Sequence, residues 1–230
     1  MPQTLAGRNA LVTGAGSGIG RATATMMARC GARVALLGRT RESLDRTLAE
    51  IGGKEAGHLT LVADIGDESQ MSAMSATVAE VWSHLDILVA NAGINGVWAP
   101  LDQLKVSEWD TTLQINLRGT FLTVKELLPL LKRRGGSVIV VSSINGTRIF
   151  SNSGATAYAS SKAAQVAFAK MVALELAKDH IRVNVVCPGA IRTNIDDSTV
   201  RRDLDDLHLP VELPEGVVPL TGGGSGSANQ

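Results

Sequence analysis

Aromatic residues make up only 3% of this 230-residue chain, which has a single tyrosine. A surface that stacks successive bases needs several aromatic rings, so the chain is not built to bind single-stranded nucleic acid. A positive surplus is missing too: Lys+Arg and Asp+Glu both number 22, and the formal net charge is zero. Without a basic excess to neutralise phosphates, a duplex or another polyanion is not an expected partner. Cysteine is scarce. Cys30 and Cys187 lie far apart, which suits a reducing compartment and a small buried side chain at each position. His58, His84, His180 and His208 show no ligand spacing, so no metal is expected. The longest apolar runs, Leu127 to Leu131 and Val138 to Val141, are far too short to span a bilayer. The start, Met-Pro-Gln-Thr, lacks the basic and apolar run of a secretory signal, and Pro2 replaces the glycine that myristoylation requires. These absences predict a cytoplasmic protein that acts without a membrane.

What is present points to a globular α/β chain. Hydrophobic residues reach 44% against 19% charged, enough apolar mass for a large core and too little charge for disorder. Short Val-, Ile- or Leu-rich runs predict strands at Asn9 to Thr13, Arg33 to Leu37, His58 to Val62, Ile87 to Ala90, Ser137 to Val141 and Arg182 to Cys187. Helical patterns lie between them, at Gly18 to Arg29, Arg41 to Ile51, Asp67 to Ser83, Val106 to Arg134 and Ala155 to Asp179. Runs such as VIVV and VNVV predict strands covered on both faces. The alternation implies a doubly wound, Rossmann-like parallel sheet of six strands. The expected domain is 1–220, followed by a flexible Gly/Ser-rich tail at 221–230.

The first strand runs into Thr13-Gly14-Ala15-Gly16-Ser17-Gly18-Ile19-Gly20. Gly14, Gly18 and Gly20 follow a G-x-x-x-G-x-G spacing, which lets the backbone turn tightly and approach a pyrophosphate at the amino end of the next helix. A plain tight turn is the alternative; the position between a predicted strand and a predicted helix favours phosphate. At the end of the second strand an acid would accept a ribose 2′-hydroxyl, whereas arginine would accommodate a 2′-phosphate. The chain reads Gly38-Arg39-Thr40-Arg41 there, which favours NADP(H) and leaves NAD(H) possible. In the alternative reading, these arginines merely sit on a solvated helix start.

Tyr158 stands four residues before Lys162 in a predicted helix, so both side chains share a face. A phenol with a pKa near ~10 is a poor base at neutral pH, and a nearby ammonium favours its ionised form. Asn91-Ala92-Gly93, Asn116, Ser142-Ser143 and Pro188-Gly189 stand in order around this pair. Together with the glycine turn, these motifs resemble the short-chain dehydrogenase/reductase family, and more narrowly its compact, single-domain 3-oxoacyl-reductase-like branch. The likeness runs from Asn9 to Thr193.

The resemblance implies a role for each residue. Tyr158 would be the general acid in carbonyl reduction and the base in alcohol oxidation. Lys162 would hold the nicotinamide ribose and lower the Tyr158 pKa, and Ser143 would hydrogen-bond the substrate oxygen. Asn116 would support a water-linked relay to Lys162. Gly14, Ser17, Gly18, Ile19 and Gly20 would line the cofactor phosphates, with Arg39 at the ribose phosphate and Asp64 at the adenine. Asn91 would border the adenosine side and Ile191 with Thr193 the carboxamide, with Gly93, Pro188 and Gly189 as further cofactor-binding positions. Structural alternatives stand beside these roles. Asn116 could bond backbone, Asp64 could cap the following helix, and either Ser142 or Ser143 could face the substrate.

The expected partner is a small carbonyl or alcohol substrate. The alternative is a nucleotide-binding regulatory protein with little or no turnover. Residues Asn194 to Leu220 read, by resemblance, as a substrate lid without a decisive recognition feature. The family's seventh strand and last helix are expected to be absent, which would leave the strand at Arg182 to Cys187 on the sheet edge. A homodimer through the two long helices follows as an expectation from the same resemblance.

Overall fold

The computed structural model describes residues 4–148 and 153–204. The expected tail at 221–230, the lid beyond residue 204, the domain limit at 220 and His208 lie outside the described residues. In chain order the elements are β1 (Asn9–Thr13), α1 (Gly18–Arg29), β2 (Arg33–Gly38), α2 (Arg41–Glu50), β3 (Leu59–Val62), α3 (Glu68–Val81) and β4 (Ile87–Ala90). These are followed by β5 (Gly96–Trp98), α4 (Val106–Leu113), α5 (Gly119–Leu131), β6 (Gly136–Val141), α6 (Thr156–Leu176), β7 (Ile181–Val186) and β8 (Thr199–Arg201).

Six strands form one parallel sheet in the order β3-β2-β1-β4-β6-β7. The order reverses at β1, so the carboxyl ends of β1 and β4 open a crevice between neighbouring crossovers, where α/β sheets bind ligands. All five residues of β1 are buried, because both faces of the sheet are covered there. Alternating side chains sort onto two cores. Leu11, Leu37, Leu88 and Val138 pack with Met71 and Val78 of α3 and Leu122 and Leu127 of α5. Ala10, Val12, Val34 and Leu36 pack with Ala24 of α1 and Leu44 and Leu48 of α2. Each large side chain so buried stabilises the fold by roughly 1.5–3 kcal/mol relative to exposure.

The structure corrects four readings of the pattern. The expected continuous helix at Val106 to Arg134 is two helices joined by a π-helical turn at Gln114–Arg118, with buried Asn116 inside it. Its cause is tertiary, since Asn116 bonds across to other elements. β7 is not covered on both faces: Ile181 and Val183 are buried, whereas Val186 is half exposed. The cap of α3 is Asp67, whose carboxylate accepts the Gln70 N–H at 3.0 Å, and not Asp64. Cys30 and Cys187 are only partly buried. Among the described residues, no helix is long and apolar enough to cross a membrane.

Candidate active site

The glycine turn is tied to the loop after β4. Thr13 Oγ1 accepts the N–H groups of Asn91 and Ala92, both at 2.9 Å, and Asn91 Nδ2 donates to the Thr13 carbonyl at 2.9 Å. Gly14 has a φ of +67°, and a Cβ there would lie 2.8 Å from Asn91 Nδ2. A Cβ on Gly20 would collide with the Gly14 carbonyl, so helix and turn pack backbone to backbone. Ser17, the N-cap of α1, makes no side-chain cap hydrogen bond, and the first turn carries no acid. The unpaired N–H groups and the positive end of the helix dipole therefore face the crevice without an internal anion.

The crevice has a volume of about 700 Å³. Gly14, Ser17, Gly18 and Ile19 line it at the turn, Arg39 and Asp64 at one end, and Asn91, Gly93 and Thr193 at the other. Arg39 Nη1 stands 4.0 Å from Asp64 Oδ2, and Asp64 Oδ1 accepts the Gly66 N–H at 2.8 Å. Thr40, Ser43 and Arg46 also line this end, with Arg46 Nη2 donating to Ser43 Oγ at 3.2 Å. Sequence reading missed these three, although their i, i+3, i+6 spacing places them on one face of α2 beside Arg39. Arg41 is not part of the lining.

Tyr158 and Lys162 lie one turn apart on α6, and both are buried. The Lys162 ammonium is 5.7 Å from the centre of the Tyr158 ring and donates to the Val141 carbonyl at 3.1 Å. The two serines after β6 diverge. Ser142 Oγ donates to the Lys162 carbonyl at 2.7 Å, so it points into the helix backbone. Ser143 accepts the Asn145 N–H at 3.2 Å and hydrogen-bonds the side chain of Tyr158, so this serine faces the phenol. Burial pushes the Tyr158 phenol up, against a smaller opposing effect of the Ser143 hydrogen bond. Burial also pushes the Lys162 ammonium down to about 8, partly offset by Cys187. The expected acidification of Tyr158 by Lys162 is not among the effects that shift the phenol, which burial raises.

Asn116 is completely buried. Its Oδ1 accepts the Ile94 N–H at 2.8 Å, while Nδ2 donates to the Ile94 carbonyl at 2.9 Å and to Ser161 Oγ at 3.0 Å. A Cβ on Gly93 would lie 3.0 Å from Asn116 Oδ1 and 3.5 Å from Lys162 Nζ, so both groups converge behind Gly93 at the wall of the crevice. Gln165, also buried, donates to the Asn116 carbonyl at 2.8 Å and to Thr120 Oγ1 at 2.7 Å. Sequence reading overlooked it; a lone Gln three residues after Lys162 on an apolar helix was the available signal. The remaining expected residues are less central. The Pro188 carbonyl accepts the Ile144 N–H at 3.1 Å, and Ile191 is half exposed. Of the expected residues, Gly20, Asn116, Ser143, Tyr158, Lys162, Pro188, Gly189 and Ile191 do not line the crevice.

The arrangement offers an anion-binding helix end, an arginine-bearing far end, and a buried phenol with a serine and a lysine beside it. The family model described as short chain dehydrogenase matches residues 8–203. Over 203 residues the chain is 37% identical to the oxidoreductase UcpA of Salmonella typhimurium, spanning 88% of this chain and 76% of that protein. The crystal structure of a 3-ketoacyl-ACP reductase from Sinorhizobium meliloti 1021 superposes with a TM-score of 0.84 at 54% identity, covering 94% of this chain and 85% of that one. A 3-ketoacyl-(acyl-carrier-protein) reductase from Brucella melitensis, complexed with NADH, gives 0.79 at 31% identity over 85% and 81% of the two chains. Sequence motifs, sheet order and site geometry thus lead to one conclusion: the chain belongs to the short-chain dehydrogenase family of oxidoreductases.

Proposed function

We propose that this protein interconverts a ketone and a secondary alcohol using NADP(H), with Tyr158 as the proton donor and acceptor. The observation that carries this reading is the pairing of Ser143 with Tyr158 beside the buried Lys162, whose ammonium lies behind Gly93 in the wall of a crevice that also carries Arg39 and Arg46. A nicotinamide cofactor supplies the hydride chemistry, and the uncapped amino end of α1 fits its pyrophosphate. Arg39, with Thr40, Ser43 and Arg46, supports a 2′-phosphate; NAD(H) stays the second choice, since one relative is complexed with NADH. Lys162 holds the nicotinamide ribose, and Ser143 donates to the substrate oxygen as negative charge develops on it. Tyr158 then passes its proton to that oxygen, or takes it back in oxidation. Asn116 holds the loop at Ile94 against α6 and flanks, with Lys162, the space behind Gly93 that a relay water would use.

A ketone substrate fits the relatives' names as 3-ketoacyl reductases. The regulatory alternative has no support from them. We also retain the homodimer through the long helices, which the exposed Phe121 of α5 and Met171 and Leu174 of α6 support. Light scattering tests that assembly, and a monomeric mass would dismiss it. The function is tested by loss of NADPH absorbance against a panel of ketones, comparing wild type with Tyr158→Phe. Turnover should disappear in the variant while NADPH binding persists, because only a proton-transfer hydroxyl is removed. Ordinary turnover by Tyr158→Phe would take Tyr158 out of the mechanism.

A further inference from the structure

Residues 194–204 form an arm whose near part walls the crevice: Thr193 packs against Gly18, and Ile195 and Ser198 are among the lining residues. Its far part is fastened away from the crevice. β8 pairs in parallel with β5 in the register Gly96↔Thr199, Val97↔Val200 and Trp98↔Arg201, and the Arg201 guanidinium lies 5.0 Å over the Trp98 ring. Asn95, which is buried, donates Nδ2 to Thr199 Oγ1 at 2.7 Å and its N–H to Ser198 Oγ at 3.2 Å. Beyond the strand, Arg202 closes the attachment. Nη1 and Nη2 grip the two Glu108 carboxylate oxygens at 2.7 and 3.0 Å, Nη2 also donates to the Gln103 carbonyl at 2.7 Å, and the Arg202 N–H donates to the Trp98 carbonyl at 2.9 Å.

Glu108 is placed by more than Arg202. Its Oε2 accepts the Lys105 N–H at 3.0 Å at the start of α4, so one carboxylate both caps that helix and holds the arm. The arginine hydrogen bonds hold this carboxyl far below the usual range, at about 2, so it is charged throughout the working pH range. Neither Arg202 nor Glu108 lines the crevice. The path from the pair to the chemistry is short: Arg202 and β8 hold Ser198 on Asn95, Asn95 follows Ile94, and Ile94 is bonded on both backbone sides by Asn116.

Building on the proposed function, we propose that Arg202 and Glu108 are positioning residues for the carbonyl substrate, clasping the arm so that Ser198 stays fixed on Asn95 at the crevice wall, beside the Ile94 that Asn116 holds. The cofactor phosphates bind at the opposite attachment, at Gly14 to Gly20. Loss of the clasp therefore acts on substrate and spares cofactor. A planar fork is required, since a lysine ammonium cannot grip both carboxylate oxygens and also reach the Gln103 carbonyl.

The test compares wild type with Arg202→Lys, Arg202→Ala, Glu108→Gln and the Arg202→Lys/Glu108→Gln pair. KM for a reduced ketone, kcat, the NADPH dissociation constant and amide exchange at Val200, Arg201 and Arg202 are measured. Arg202→Lys and Glu108→Gln should each raise KM by about tenfold, with the NADPH constant within about twofold of wild type and kcat falling less than KM rises. Exchange at the three amides should accelerate, and the pair should be no worse than the weaker single variant. Should Arg202→Ala fail to fold, Arg202→Lys, which keeps the charge and the apolar stem, carries the test. A KM that stays at the wild-type value, or one that rises in step with the NADPH constant, overturns the proposal. A wild type that reduces no ketone removes the proposed function, whereas unchanged exchange in Arg202→Lys overturns the clasp independently of any substrate.

Discussion

Lys162 stands with its ammonium 5.7 Å from the centre of the Tyr158 ring, yet its hydrogen bond goes to the Val141 carbonyl at 3.1 Å. The end of β6 thus holds the lysine, and the folded chain keeps a cation almost without water. Such a group weakens the fold unless a partner compensates for its desolvation.

Lys162→Met should therefore unfold at pH 7 at a temperature no lower than wild type, while NADPH affinity drops by roughly tenfold or more, the size of a lost charge-assisted hydrogen bond. The pH dependence has a fixed sign. The folded pKa, about 8, lies below the unfolded value of 10.5, so the unfolded chain binds more protons between these limits. Wild-type stability gains from this group as pH rises through that window, and the Met variant lacks the gain. Thermal midpoints of both proteins from pH 7 to 10 check it; a lower midpoint for the variant at pH 7 would falsify the desolvation account.

The adjacent serines should separate into two phenotypes. Ser143→Ala removes the hydroxyl that faces Tyr158 and should lower kcat by about a hundredfold, the usual cost of one donor to a developing oxyanion. Ser142→Ala instead removes a buried bond to the Lys162 carbonyl and should cost about 1–3 kcal/mol of stability. Steady-state kinetics with denaturant melts on both variants distinguish them, and the reverse assignment of the two effects would contradict the observed side-chain directions.

Cofactor preference should turn on Arg39. Arg39→Asp replaces a phosphate partner by a carboxylate, and it adds a second acid close to Asp64. The ratio of kcat/KM for NADPH over NADH should fall by about a hundredfold or more, which corresponds to ~2.7 kcal/mol of differential binding. A wild-type enzyme that already favours NADH would show that the arginine is only a solvated helix start.

Acid should loosen the fold at His58. Its Nδ1 accepts the Val34 N–H at 2.9 Å and its Nε2 bonds the Ile51 carbonyl at 3.0 Å, which requires a neutral ring protonated on Nε2. Burial lowers its pKa from 6.5, more strongly than the Ile51 bond raises it. Stability from the neutral ring is present above pH 6.5 and is lost as pH falls through the lower folded value. The thermal midpoint should accordingly drop between pH 7.5 and 5 more steeply in wild type than in His58→Gln, and parallel curves would assign the acid sensitivity elsewhere.

Periodicity carried much of the architecture. β1 and α1 fall at the limits that the sequence implies, because an Ala-Leu-Val run followed by glycines and an amphipathic stretch leaves little choice of strand, turn and helix. Asp64 and Asp67 show the limit of such local reading: both precede α3, and the choice of cap depended on which carboxylate reaches the Gln70 N–H. The π-helical turn at Asn116 was invisible, since residue spacing around it reads as an ordinary helix and its partners, Ile94 and Ser161, belong to distant segments.

By itself, the amino-acid sequence determined the strand and helix alternation, the glycine turn at Gly14 to Gly20, and the one-turn separation of Tyr158 and Lys162. These are local properties set by side-chain period, glycine sterics and helix pitch. Tertiary structure alone decided that Ser143 faces Tyr158 while Ser142 turns to the Lys162 carbonyl, since two neighbouring serines are chemically identical until a strand end orients them. It alone joined Gly96–Trp98 to Thr199–Arg201 and brought Arg202 onto Glu108, because three-residue strands have too little period to read, and segments so distant in sequence meet only when the whole sheet places them side by side.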